Sequence, residues 1–118
     1  MNATQPRDED LIHIIPTVLY RMERGIHAAA TVEHSPDGRA LLVFRNEEEA
    51  EKYRAHTGKH PEPEGWGPVA LDLEDLQNVL KMHECTHVAM PEEWTGEGGV
   101  DFFKASDFIG MLEERARA

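Results

Sequence analysis

The sequence predicts an α+β domain. An antiparallel meander over about residues 17–45 is extended by short strands near 69–71 and 86–90 and packed with three helices, about 47–57, 73–84 and 107–116. Three observations carry that class. Residues 26–32 alternate, with Ile26, Ala28, Ala30 and Val32 on one side and His27, Ala29 and Thr31 on the other, the period of a half-buried strand. Ala40 to Phe44 is a continuous apolar run, as in a strand covered on both faces. Leu73, Leu76, Val79 and Leu80 recur at helical spacing.

In chain order, residues 1–10 are polar and acidic and read as a loose tail, with one domain following over 11–118. Leu11 to Ile15 is apolar and is stopped by Pro16, which leaves an edge strand and a helical turn both open. Thr17 to Met22 reads as a strand and Gly25 as the turn after it. In Ser35-Pro36-Asp37-Gly38-Arg39, Pro36 presets φ for a turn and Gly38 can take the left-handed backbone of a hairpin bulge. Asn46 is placed to cap the first helix, with Glu49 at the capping-box position and Glu47 to Glu49 at the positive end of its dipole. Ala50, Tyr53 and Thr57 would form its inner face, and Gly58 ends it. His60 to Pro68 is a loop dense in Pro and Gly, and Val69 to Leu71 a short strand. Asp72 caps the second helix. Thr86 to Met90 is β-prone and ends at Pro91. A loop runs to Gly99, Val100 to Phe103 reads as a last short strand, and Ser106 caps a helix with Phe108, Ile109, Met111 and Leu112 inward.

The 118 residues carry 23 acidic and 12 basic side chains, a formal charge of −11. Such a surface repels phosphate backbones and anionic headgroups, which argues against nucleic acid or membrane as the main partner. One cysteine, Cys85, excludes an intrachain disulfide and a cysteine-rich zinc site. No hydrophobic leader opens the chain, and no apolar run approaches the roughly 18 residues of a membrane span. A cytoplasmic location is the expectation.

Residues 83–87, His-Glu-Cys-Thr-His, match the zinc-protease signature H-E-x-x-H. On one helix, His83 and His87 would lie a turn apart as zinc ligands, with Glu84 as the base that deprotonates a metal-bound water. A third ligand is not evident. The extended signature needs Gly and His where Met90 and Glu93 stand, and only Glu113 or Glu114 of the last helix could substitute. Thr86 to Met90 reads better as a strand, which would swing His87 away from His83. The favoured reading is therefore a helix-to-strand junction, with His83 near the helix C-terminus where an imidazolium suits the dipole. The zinc hydrolase is kept as the alternative, and no cofactor is otherwise expected.

Other candidates are weaker. His56 and His60 are four apart, but Gly58 and Pro61 break the shared face. Cys85 is a weak nucleophile candidate: His83 and His87 could supply the cation a thiolate needs, but Glu84 opposes it, and a buried structural cysteine is the better reading. Gly96, Gly98 and Gly99 lack the spacing of a phosphate loop. Trp66 and Trp94 stand in Pro/Gly loops, where tryptophan serves either as a binding anchor or as a lid on a small core. They are the candidate binding residues, in a protein contact or, as a further alternative, in a small-ligand or metal-binding regulator.

Several phrases resemble the N-terminal domain of the bacterial enhanced-serine-sensitivity (SseB) family. They are Leu42-Val43-Phe44-Arg45-Asn46-Glu47-Glu48-Glu49-Ala50-Glu51, Asp72-Leu73-Glu74-Asp75-Leu76, the apolar strand ended by Pro91, and Asp107-Phe108-Ile109-Gly110-Met111-Leu112. Together they span roughly residues 40–112, and none is a catalytic motif. The resemblance implies a small α+β domain without established enzymatic activity and carries over no functional residue. The expectation is a non-enzymatic module that meets a protein partner or another copy of itself.

Overall fold

The computed structural model describes residues 14–23, 26–34, 38–57, 66–91 and 99–117. In chain order the elements are β1 (Thr17–Glu23), β2 (Ile26–Ala29), β3 (Thr31–His34), β4 (Gly38–Leu42), α1 (Glu47–Thr57), β5 (Trp66–Ala70), α2 (Leu73–Met82), β6 (Cys85–Pro91), β7 (Val100–Lys104) and α3 (Ala105–Arg117). The α+β class holds. The strands form a three-stranded sheet, β2-β1-β5, and a four-stranded sheet, β3-β4-β6-β7.

The expected meander is divided between these sheets. The alternating segment 26–32 does not run as one strand, because it breaks at Ala30. Residues before it pair with β1 and residues after it pair with β4. The Ala30 N–H donates to the Leu19 carbonyl at 2.9 Å, and its own carbonyl accepts from Leu42 N–H at 3.1 Å. One small residue, 2% exposed, thus fastens both sheets. The run Ala40–Phe44 makes a second crossing. Val43 N–H reaches Ala89 in β6, while Phe44 exchanges hydrogen bonds with Thr17 in β1. This explains why the run is apolar throughout: each of its five residues is buried.

β4 and β6 pair in parallel, because the chain between them passes through α1, β5 and α2 before returning. The other pairings are antiparallel. One face of the parallel pair, with Leu41, Val43, Val88 and Met90, packs against Leu76, Val79 and Leu80 of α2 and Phe108 and Leu112 of α3. The opposite face, with Ala40, Leu42 and Ala89, joins Leu19, Ala30, Phe44 and Ala50, flanked by Val32, Tyr53 and Trp66.

The caps follow the sequence at two helices. Asn46 Oδ1 accepts from Glu49 N–H at 2.8 Å, and Asp72 Oδ1 accepts from Asp75 N–H at 2.8 Å. Several boundaries differ. α2 ends at Met82, short of 84. α3 starts at Ala105, directly after β7, so Ser106 lies inside it. β5 starts at Trp66, three residues earlier than expected, because Pro68 is tolerated in an outer strand that among the described residues pairs on one side only.

Candidate functional site

The geometry of residues 83–87 turns on where α2 ends. His83 is its C-cap, with φ −96° and ψ 6°. Glu84 has φ 53°, the left-handed backbone that usually falls to Gly or Asn after a helix. Its N–H donates to the Lys81 carbonyl at 3.1 Å and closes the last turn. Cys85 then opens β6. The zinc alternative needs His83, Glu84 and His87 on one helix, and these residues instead form a cap, a turn and a strand. The reason is local: β-branched Thr86 and Val88 favour extended backbone, and β6 gains ladders on both sides.

Both ring nitrogens of His83 are engaged. Nδ1–H donates to the Val79 carbonyl at 3.1 Å, and Nε2 accepts from Ala29 N–H at 3.0 Å. A carbonyl can only accept and an N–H only donate, so this pairing sets the neutral Nδ1–H tautomer. His83 is thus a clip between the end of α2 and the three-stranded sheet, one residue before the crossing at Ala30. The cationic helix-end role expected of it is replaced by this neutral one.

His87 lies on β6, opposite Ala40 of β4 and Lys104 of β7. Its Nδ1 is 2.8 Å from Thr86 Oγ1. The register between β4 and β6 shifts between Arg39 and Ala40, opposite this pair. Gly38 is required there on two counts. Its φ is 114°, and a Cβ would stand 2.8 Å from Thr86 Oγ1. Cys85 is half-buried. Burial pushes its thiol up to about 11, with the Arg39 charge pulling weakly the other way. A protonated thiol is a poor nucleophile, so Cys85 does not supply an active thiolate at neutral pH.

Among the described residues, no group of three or more His, Cys, Asp or Glu side chains is placed to hold a metal ion. Glu113 and Glu114 sit in the last turns of α3 and join no such group. His56 is on α1, and its proposed companion His60 lies outside the described residues.

Trp66 opens β5 instead of standing in a loop. It pairs with Arg21 of β1, packs on the second core cluster, and has the Arg21 guanidinium 5.8 Å from its ring centroid. Its Nε1–H is buried and finds no acceptor among the described residues. Trp94, the other candidate binding residue, lies outside the described residues.

A surface that sequence reading passed over is β7. It is the last strand of its sheet and alternates in exposure, with Val100 39% and Phe102 40% exposed on one face. The register sets Leu42, Ala89 and Phe102 in one row across three strands. Exposure along that row runs 1%, 0% and 40%, so a core row ends on a partly exposed phenyl ring. The signal in the sequence was the alternation Val100-Asp101-Phe102, which gives a strand but not its place at the edge. No helix among the described residues is long and apolar enough to cross a membrane. No protein-family model matches the chain, and no curated protein matches it.

Proposed function

We propose that this chain is a non-enzymatic module, cytoplasmic and without a bound cofactor, that acts through contact with another protein. The observation that carries the reading is the β7 edge, where a core row opens to solvent at Phe102 with Val100 beside it. The chemistry of the 83–87 string points the same way. His83 spends both nitrogens on the fold, Cys85 holds its proton, and Glu84 serves as a turn. The resemblance to the enhanced-serine-sensitivity N-terminal domain supports a module of this kind, and the net charge of −11 argues against nucleic acid and anionic membrane.

The test is site-directed photo-crosslinking in the producing cell, with a benzoyl-phenylalanine placed in turn at Ile15, Val69, Met82 and Phe102, four exposed apolar positions far apart in the chain. A discrete covalent protein adduct from one of these surfaces is expected. No adduct from any of the four, in a folded chain that light scattering finds monomeric, overturns the reading.

A further inference from the structure

We infer that His83 is a proton-operated latch: neutral, it holds the end of α2 to the end of β2, and protonated, it lets that joint open. This goes beyond the contact reading above, because it concerns how the fold responds to acid and not what the fold meets. Nε2 accepts from Ala29 N–H at 3.0 Å, while Nδ1–H donates to the Val79 carbonyl at 3.1 Å. A proton added to this ring goes to Nε2, since Nδ1 already carries one. N–H then faces N–H, so the bond to β2 is lost and the bond within α2 is kept. Imidazole is the side chain whose ordinary titration falls near neutral pH, which makes the change accessible under mild conditions.

The place of the latch confines what it opens. Ala29 is 5% exposed, so its freed N–H has little access to water, and a buried donor left unmade is costly. Relief comes when the ring and the end of β2 separate. The next residue, Ala30, bonds to Leu19 and Leu42 through backbone groups alone and does not depend on the imidazole. The parallel ladder of β4 and β6 is likewise independent of it. Opening is therefore local to Ala29 and the end of α2.

Charges around the joint favour or oppose the imidazolium without changing what Ala29 loses. The C-terminal dipole of α2 and the carboxylate of Glu84, the next residue, favour it. Lys81 in the last turn of α2 opposes it. β6 brings Cys85, whose thiol keeps its proton and donates to the His83 carbonyl at 3.8 Å. β4 brings Arg39, whose charge acts on that thiol. β1 sets Tyr20 and Arg21 opposite Ala29 and Ala28. α3 shares a core with α2 through apolar side chains. The acceptor for Ala29 N–H is Nε2 itself, so the latch is shut with a neutral ring and loosens as pH falls through the ring's titration.

The test is a titration of the isotope-labelled full chain by magnetic resonance from about pH 8 to about pH 5, which spans the ordinary range of imidazole. The His83 ring nitrogens, the Ala29 amide and the amides of β4 and β6 are followed together. At the upper end the ring is expected as the Nδ1–H tautomer. As pH falls, the Ala29 amide should shift with the ring's own midpoint. Its opening, read from hydrogen exchange after correction for intrinsic pH dependence, should rise about fivefold or more, the equivalent of one lost hydrogen bond. The amides of β4 and β6 should hold. His83→Gln supplies a carboxamide that can accept and donate but takes up no proton in this range, so the Ala29 response should vanish while every other histidine is kept. The titration of the parent chain stands by itself if His83→Gln does not fold. Four results overturn the inference: a ring still neutral at about pH 5, an Ala29 amide that ignores the ring's titration, the same response in His83→Gln, or equal opening throughout β4 and β6.

Discussion

The two sheets of this molecule bury their strands differently. In the four-stranded sheet the inner pair is closed on both faces, with Leu41, Val88 and Ala89 at 0% exposure. In the three-stranded sheet the start of β1 is closed in this way, with Thr17, Val18 and Leu19 at 0%. Its neighbour β5 has Val69 40% exposed and interrupts its own donor row with Pro68. The first sheet is sandwiched between α2 and α3 on one side and the second core cluster on the other. Cohesion is therefore concentrated in the parallel pair β4–β6, and open surface collects on the outer strands.

The sharpest way to break that contrast is to remove the same kind of group from each sheet. Leu41→Ala takes a fully buried side chain out of the parallel pair and should cost about 2–5 kcal/mol, from lost apolar transfer plus the cavity left behind. Val69→Ala in β5 should stay within about 0.5 kcal/mol of the parent. Urea denaturation followed by tryptophan fluorescence measures both. Comparable losses would mean that the two sheets share the load, contrary to their burial.

A smaller effect tests how the sheets are joined. His83→Ala removes the acceptor of Ala29 N–H and leaves that part-buried donor unpaired, a loss of about 1–3 kcal/mol. The loss should be uneven. Amide exchange should quicken at Ala29 and its neighbours in β2, while the ladder between β4 and β6 keeps its protection, because that ladder is held by the core rather than by the imidazole. Uniform acceleration across β6 would show that His83 supports the junction as a whole.

Much of this arrangement could be read from the sequence where the cause is local. The caps at Asn46 and Asp72, the buried run Ala40–Phe44 and the glycine at 38 each follow from a few neighbouring residues. The strand after His83 was legible because Thr86 and Val88 are β-branched. What escaped depends on contacts distant in the chain. Nothing near Ala30 marks it as the residue that bonds both sheets, since its partners are Leu19 and Leu42. Nothing near His83 names Ala29, 54 positions earlier, as the donor to its Nε2. Trp66 looked like a loop residue because Pro and Gly surround it, and only its pairing with Arg21 makes it part of a strand. The edge position of β7 likewise comes from strand order, which a five-residue pattern cannot encode.

The smallest predicted effect lies at the joint from which α2 leads into the four-stranded sheet, and it runs in the opposite direction. Glu84 holds φ 53°, a conformation that costs an L-residue roughly 1–2 kcal/mol because its Cβ crowds the following carbonyl. Glycine has no Cβ and escapes that crowding, although it loses more backbone entropy on folding. Glu84→Gly should therefore raise stability by a net of about 0.5–1 kcal/mol, read as a higher denaturation midpoint at unchanged slope. Glu84→Ala separates the causes, because it removes the carboxylate but keeps the Cβ. Its midpoint should stay near the parent's. If alanine stabilises as much as glycine, the carboxylate and not the backbone is the source of the cost. The strain would then lie in charge at the helix C-terminus, where a negative side chain opposes the dipole. Either outcome ranks the joint below His83 and the parallel pair, so a gain at Glu84 should add to the loss from Leu41→Ala while coupling to that from His83→Ala, its neighbour in the same turn.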